Sequence, residues 1–539
     1  MEGINATNEN SKDIGRIIAI TGSRAVMLLD KGTTEDSQKE QGRPLQLGTL
    51  IKVCVAGTNV FGIVTSLNIP LPPQQGAQEK LKLAELELVG EIARRGDELR
   101  PRFRRGVSIF PGLDERVLAA TQEDLALVYA APDRAVTRIG TIHQDRSLPA
   151  YVIVDELLGK HFAVLGTTGT GKSCAVALIL RNILAKHKNG HVILLDMHNE
   201  YSRAFGECAE ILTPKTFELP YWLLTFEEFE EIALGASRDR QIEANILADT
   251  ILAAKRLYVG TKQDRSLVTV DTPFPYRWSD VDQILDQAAG SLGTGQNPSS
   301  YLSVKARLKS LRSDPRFGFL FPVLSGRDNM EQVLSQLFRI PVGGKPMTIV
   351  DLSSIPSEVL NVVVSVLCRL TFDFALWSDR SVPIMLVCEE AHRCCPHDSR
   401  VDFEPARRAL SRIAKEGRKY GISLCLVSQR PSEIASAVLS QCNTIFALRL
   451  SNNSDQDFVR GVLRESGIGL LDFLPSLRNA EAIAIGEGVP IPVRLCFDDL
   501  AEENRPLSGS AKFSVAWETD VRDRNFLPFV VERWRQQAP

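Results

Sequence analysis

Charge bias is the first thing this sequence lacks: over 539 residues the formal net charge is -3, so a uniformly basic coat for nucleic acid is excluded. Any nucleic acid must be met by a local surface, such as a loop or a pore lining. No block of like charge is long enough to make a disordered tail, and no internal repeat is evident. No run of about 18 apolar residues occurs, the length a membrane-spanning helix requires. Ten cysteines follow no repeating spacing, and Cys54, Cys368, Cys388, Cys425 and Cys496 sit inside apolar runs. That scatter argues against a disulfide framework and fits reduced core thiols. His392, Cys394, Cys395 and His397 do cluster, in AHRCCPH, but adjacent cysteines followed by proline lack the spacing of a structural zinc site, so a plain structural role is expected. The opening residues MEGINATNENSK are polar and no signal peptide precedes the cysteines, so the expectation is a soluble, cytoplasmic protein with no membrane partner. No nuclease pattern of clustered Asp, Glu and Lys stands out.

What remains is an ordinary globular composition, 44% hydrophobic and 24% charged, in a chain too long for one core. From Ile14 to about Ile92 the pattern is short and β-like: IGRIIAITGSRAVMLLD, LGTLIKVCVAGTNVFGIVTSLNI, KLAELELVGEI. Short β-branched runs broken by Gly, Asn and Ser predict a small antiparallel barrel over residues 1–100, with GTTEDSQKEQGRP and PLPPQQGAQEK as long exposed loops. Four arginines between Arg100 and Arg105 then mark a segment read as a solvated linker in preference to a nucleic-acid or subunit contact, and residues 101–150 are expected to link two domains.

After Val152 strands alternate with helices. FAVLG, HVILLDMHNEY, PMTIVDL, PIMLVCEEAH, ISLCLVSQR and NTIFALRL are continuous apolar runs, as a parallel sheet buried on both faces requires. The strands pause over about 217–338, where FEEFEEIAL, RQIEANILADTILAAKRLY and SYLSVKARLKSLRSD have helical periodicity, so a helical subdomain inserted in a 151–500 core is expected. Residues 501–539 form an amphipathic tail suited to docking on a neighbour.

The stretch LGTTGTGKSCAVALIL satisfies G-x-x-x-x-G-K-[ST] through Gly166, Thr167, Thr168, Gly169, Thr170, Gly171, Lys172 and Ser173, with Cys174 next. Glycines let successive backbone N–H groups turn toward phosphate oxygens; Lys172 would bridge the β and γ phosphates of ATP, and the Ser173 hydroxyl would bind Mg²⁺. A strand before and a helix after supply the context this motif needs. A phosphate loop alone does not hydrolyse ATP. IMLVCEEAH delivers Glu389 and Glu390 at a strand end, Glu390 as the water-polarising base and Glu389 in the metal's outer shell; the plainer alternative is an acidic pair at a helix N-terminus. Asp196 and Glu200 close another strand, and Gln429 a further one, where ligands of open α/β sheets gather.

In this order, GTTGTGKS, LLDMHNEY, LVCEEAH and IAKEGRKYGISLCLVSQRP resemble the HerA branch of the HerA/FtsK superfamily of ring-forming DNA translocases, and RRGVSIFPGLDERVLAAT before the motor is similar to the family's barrel region. The resemblance runs from about Ile14 to Asp499. It implies an α/β fold: a RecA-like P-loop motor with a parallel-rich sheet, an inserted helical subdomain and an N-terminal HAS-type barrel; the tail beyond it, residues 501–539, is expected from its amphipathic pattern to act as a brace. It further implies a homohexamer that draws duplex DNA through a central pore and feeds a separate nuclease or other effector, in DNA end processing or antiphage defence. By residue it puts Lys172 and Ser173 on the nucleotide loop, Asp196 and Glu200 on a D-x-x-x-E element near the metal, Glu390 on the catalytic acid, Gln429 on the sensor and Arg418 on an arginine reaching the neighbour's nucleotide. Met-His-Asn stands where the family often has Pro-His-Gly, and Glu389 where it has Asp; both departures bear on rate more than on activity. Two other functions compete: a nucleotide-gated scaffold ring that assembles an antiviral effector without processive movement, and a peptide-moving ATPase, for which little speaks.

Overall fold

The computed structural model describes residues 12–30, 45–69, 81–93, 101–235, 240–260, 265–291, 298–321, 327–397, 404–463, 468–507, 513–518 and 526–536. The expected loops 32–44 and 70–80, and Arg100, lie outside the described residues. The chain forms two compact units, one of Met1–Ile183, Ser428–Ser432 and Leu439–Leu500, the other of Leu184–Val427, Glu433–Val438 and Ala501–Pro539.

The first unit begins with β1 (Asp13–Thr21), β2 (Arg24–Leu29), β3 (Leu50–Val55), β4 (Thr58–Asn68), β5 (Leu83–Ala93), β6 (Phe103–Arg105) and β7 (Arg116–Ala119). All pair antiparallel in the order β2-β1-β7-β3-β4-β5, and β2 pairs with β5 to close the ring. Closure is possible because β5 is long: Leu83–Glu87 face β2, while Gly90–Ile92 carry β6. One face of each stave turns inward with period two, and Ile17, Met27, Val53, Val60, Val64, Leu86 and Val117 fill the interior. A closed ring leaves no exposed strand edge to template aggregation.

Here the structure departs from the expected linker over residues 101–150. That segment supplies β6 and the stave β7, then the helix Gln122–Val128, then further strands. RVLA is too short to announce itself as a strand; it is one because β1 and β3 offer it partners on both sides. Arg105, expected to be solvated, donates to the Gly486 carbonyl at 2.8 Å. Lys52 of β3 reaches Asp124 of the Gln122–Val128 helix at 2.7 Å, both side chains nearly fully buried.

Beyond the barrel come β8 (Val136–Ile142), β9 (Pro149–Ile153), β10 (His161–Leu165), β11 (Val192–Asp196), β12 (Ala209–Leu212), β13 (Met347–Asp351), β14 (Ile384–Cys388), β15 (Ile422–Ser428), β16 (Cys442–Ala447), β17 (Glu481–Gly486) and β18 (Val493–Phe497). In the first unit the order is β10-β16-β17-β18-β8-β9, with β10 and β16 parallel and the remaining pairs antiparallel. In the second it is β12-β13-β11-β14-β15, parallel throughout. β11, β13 and β14 are buried at every position, which is why their sequences read as unbroken apolar runs.

Between β12 and β13 stand the inserted helices Phe226–Leu234, Gln241–Val259, Trp278–Ser291, Ser299–Ser313 and Met330–Phe338. Their core is aromatic, with Tyr221 packed edge-on against Tyr276 at 4.9 Å. Arg369 of the helix Ser357–Trp377 grips the buried Glu228 of the insertion at 3.0 Å. Among the described residues, this is the one helix long and apolar enough to cross a membrane, and 72% of its apolar window is buried inside the protein. The last helix, Phe526–Gln536, leaves Leu527, Phe529 and Trp534 exposed.

Candidate active site

In the first unit β10 runs without exposed residues into the glycine loop, and the helix Lys172–Lys186 starts at the loop's lysine. Gly169 and Gly171 have φ of 77° and 103°, values an L side chain adopts only with strain, and a Cβ at Gly169 would meet nothing within 4 Å. The loop is therefore an open cradle of backbone amides at a helix N-terminus, the arrangement that binds phosphate. Lys172 Nζ donates to the Thr167 carbonyl at 3.1 Å, so the ammonium is folded against its own loop. Thr168 Oγ1 meets the side-chain amide oxygen of Gln429, which follows the end of β15; the sensor candidate thus touches the loop directly. Cys174 is exposed.

Residues that sequence reasoning missed hold this loop. The Thr167 amide and hydroxyl both donate to the Arg449 carbonyl, at 2.9 and 3.1 Å, and the Ala480 amide donates to the Thr170 carbonyl at 3.0 Å. A Cβ at Gly166 would lie 2.8 Å from the Leu448 Cβ, so the first glycine serves close packing. The arginine of FALRL, two residues beyond an apolar strand, was the readable signal for Arg449; nothing local in LRNAEAIAIG marks Asn479 or Ala480.

In the second unit, Asp196 and Glu389 are brought together at the ends of β11 and β14, which are hydrogen-bonded neighbours. Asp196 is fully buried and caps the turn that follows: Oδ1 accepts from the His198 and Glu200 amides at 3.2 and 3.1 Å, and Oδ2 from the Tyr201 amide at 2.9 Å. That turn passes through Asn199 at φ 54° and sets Glu200, partly exposed, beside the same cluster. Glu389 is 4% exposed, and its carboxyl is pushed up to about 10, first by burial, then by the charges of Asp196 and Glu200, the hydrogen bond with Asp196 and the charge of Glu390. Its Oε2 has no hydrogen-bond partner among the described residues.

Adjacent strand residues point to opposite faces, yet both glutamates are buried. The strand ends at Cys388, and Glu390 takes φ 46°, ψ 47°, a left-handed conformation that turns the chain into the short helix Ala391–Cys394. Such outliers in bulky residues persist only where the surroundings enforce them. His392 Nδ1 lies 3.2 Å from Glu390 Oε2, so the histidine of AHRCCPH pairs with a carboxylate, while Cys394 and Cys395 are packed in the core. Among the described residues, no group of three or more His, Cys, Asp and Glu side chains is arranged to hold a metal by itself.

Arg418 is exposed on the single turn Gly417–Tyr420, which joins the helix Glu404–Glu416 to β15 through Gly421. Two earlier basic residues of that helix have partners within the chain: Arg408 pairs with Glu227 at 2.7 Å, and Arg412 lies over the Phe372 ring at 3.9 Å.

The family model for the central domain of the helicase HerA matches residues 137–371. The chain is 26% identical over 459 residues to the DNA double-strand break repair helicase HerA of Pyrococcus furiosus, covering 76% of each chain. It is 25% identical over 497 residues to a probable DNA double-strand break repair helicase HerA of Methanocaldococcus jannaschii, covering 86% of this chain and 93% of the relative. Among solved structures, VirB4 of Thermoanaerobacter pseudethanolicus aligns over 69% of this chain and 99% of its own, at 15% identity and a TM-score of 0.49.

Proposed function

Because the chain is a member of the HerA-type P-loop ATPases, we propose that it is an ATP-driven DNA translocase whose subunits assemble into a ring, a hexamer by family analogy, around duplex DNA. The observation that carries this reading is the glycine loop Gly166–Ser173, open at Gly169, with Gln429 already against Thr168. A cradle of that kind selects a polyphosphate, and an amide resting on it is placed to respond when a γ phosphate arrives or leaves.

Each residue takes a role in hydrolysis. Lys172 exchanges the Thr167 carbonyl for the β and γ phosphates, and the loop amides beyond Thr167, through Cys174, hold the rest of the triphosphate. Glu390 accepts the proton of the attacking water, with His392 fixing its carboxylate. Gln429 senses the γ phosphate, and Arg418, exposed and unencumbered by packing, reaches the nucleotide of the next subunit. Mg²⁺ fits the donor set: it is a hard cation that keeps most of its waters and needs only one or two protein oxygens beside the phosphates. The Ser173 hydroxyl of the first unit would supply one such oxygen, and the acids assigned to the ion in the second unit are Glu389, whose Oε2 lacks a partner among the described residues, Asp196 and Glu200. The ion would neutralise charge on the phosphates when bound.

Movement of DNA, supply of a nuclease or another effector, and a part in DNA end processing or antiphage defence complete the reading. ATP turnover measured with and without duplex DNA tests it. Turnover should rise with DNA, and the rise should fade with added salt as phosphate contacts are screened. Turnover indifferent to DNA at every salt concentration, in a protein that still assembles, would favour the nucleotide-gated scaffold instead.

A further inference from the structure

The phosphate loop is held from outside at two points, and the two supports come from different parts of the first unit. Thr167 is held by the carbonyl of Arg449, just after β16, and Thr170 by the amide of Ala480, just before β17. Inside the loop, Thr170 Oγ1 donates to the Thr167 carbonyl at 2.7 Å. The side chain of Arg449 joins the supports: Nη2 donates to Asn479 Oδ1 at 3.1 Å and Nη1 to the Leu477 carbonyl at 3.4 Å. The contacts thus close a circuit from Thr167 through Arg449, Asn479 and Ala480 to Thr170 and back. Ala480 sits at φ 63°, a strained value for alanine, and it is this conformation that belongs to the amide aimed at Thr170.

We propose that Arg449 is a positioning residue for nucleotide hydrolysis, its guanidinium clamping the 477–480 turn so that the phosphate loop stays in its binding shape before ATP arrives. An arginine suits the task because its planar fork reaches two acceptors at once, which a lysine ammonium on a flexible stem does not. The clamp acts through the loop, so its loss is felt in ATP capture more than in the chemical step. This inference rests on the ATPase reading, and one of its tests needs no nucleotide.

Arg449→Ala should raise KM for ATP about fivefold, the worth of an ordinary hydrogen-bond network, while kcat changes less than about twofold. Arg449→Lys should lie nearer to the alanine variant than to the unaltered protein. Asn479→Ala should show the same fault, and the double variant should be no worse than the poorer single one, since both break one circuit. Hydrogen exchange of the nucleotide-free protein gives the independent arm: the Thr167 and Ala480 amides should exchange faster in Arg449→Ala. Additive losses, or unchanged exchange at those two amides, overturn the proposal. Should Arg449→Ala fail to fold, Asn479→Ala, which changes an exposed side chain, decides the matter by the same two readouts. Absence of ATP binding by the unaltered protein would instead refute the ATPase reading, leaving the exchange arm to judge the clamp.

Discussion

Glu389 and Glu390 are neighbours in sequence with different chemistry. Glu390→Gln keeps size and hydrogen bonding but removes the proposed base, so ATP should still bind while hydrolysis falls; equal loss of binding in a nucleotide titration would give Glu390 a metal or folding role. Lys172→Ala should abolish turnover if, as proposed, the ammonium stabilises charge on the transferring phosphoryl group, since the loop has no other lysine. Glu389 gives a pH prediction. Its carboxyl stands at about 10 in the folded protein, above the unfolded value of about 4.3. The native state therefore holds a proton that the unfolded chain gives up, so this contribution to stability is whole below about pH 4 and is lost as pH rises toward about 10. Denaturant unfolding of the magnesium-free protein at pH 5, 7 and 9 should show that decline, and Glu389→Gln, which keeps a neutral group in place, should flatten it. An identical slope in both proteins would mean that Glu389 is ionised in the fold.

At the scale of elements, the barrel ends later than its first strands suggest. β7 lies between β1 and β3 and contributes Val117 to the interior. Removing residues 1 to 100 should therefore strand β7 with two bare edges and an exposed valine, whereas removal through residue 120 takes the whole barrel. The longer deletion should give the higher soluble yield and the sharper thermal transition; the reverse would show that β7 folds with the sheet. The buried Lys52–Asp124 pair joins the barrel to the Gln122–Val128 helix. Lys52→Met leaves Asp124 buried without its cation and should cost about 3–5 kcal/mol in denaturant unfolding, more than a surface pair would.

At the scale of the whole molecule, Arg418 carries the ring prediction. In a ring every interface sets one subunit's edge against the next subunit's site. A guanidinium reaching across is worth about three to five orders of magnitude in related phosphoryl transfers, so Arg418→Ala should assemble and bind ATP yet hydrolyse poorly. Mixed with excess Glu390→Gln, it should regain activity, because Arg418 of the Glu390→Gln subunit then faces an intact Glu390 next door. No recovery in mixed rings of proven composition, covalently linked subunits included, would place Arg418 within its own subunit or outside the mechanism.

What the sequence determined by itself is whatever lies in a few consecutive residues. Gly166–Ser173 is a contiguous backbone motif, and β10, β11 and β13 to β16 announce themselves as apolar runs because a strand buried on both faces has no polar side to show. The helices between β12 and β13 were legible for the same reason, their period being local. Tertiary structure alone decided the rest. RVLA became a stave only because two distant strands left a gap for it, and residues 101–150 could not be told from a linker before those partners existed. The support of the phosphate loop joins Thr167 to Arg449, 282 residues away, and no spacing along the chain encodes such a pairing. The raised carboxyl of Glu389 belongs to the packed state too: burial and the nearness of Asp196 are made when β11 and β14 come side by side, and neither exists in the extended chain.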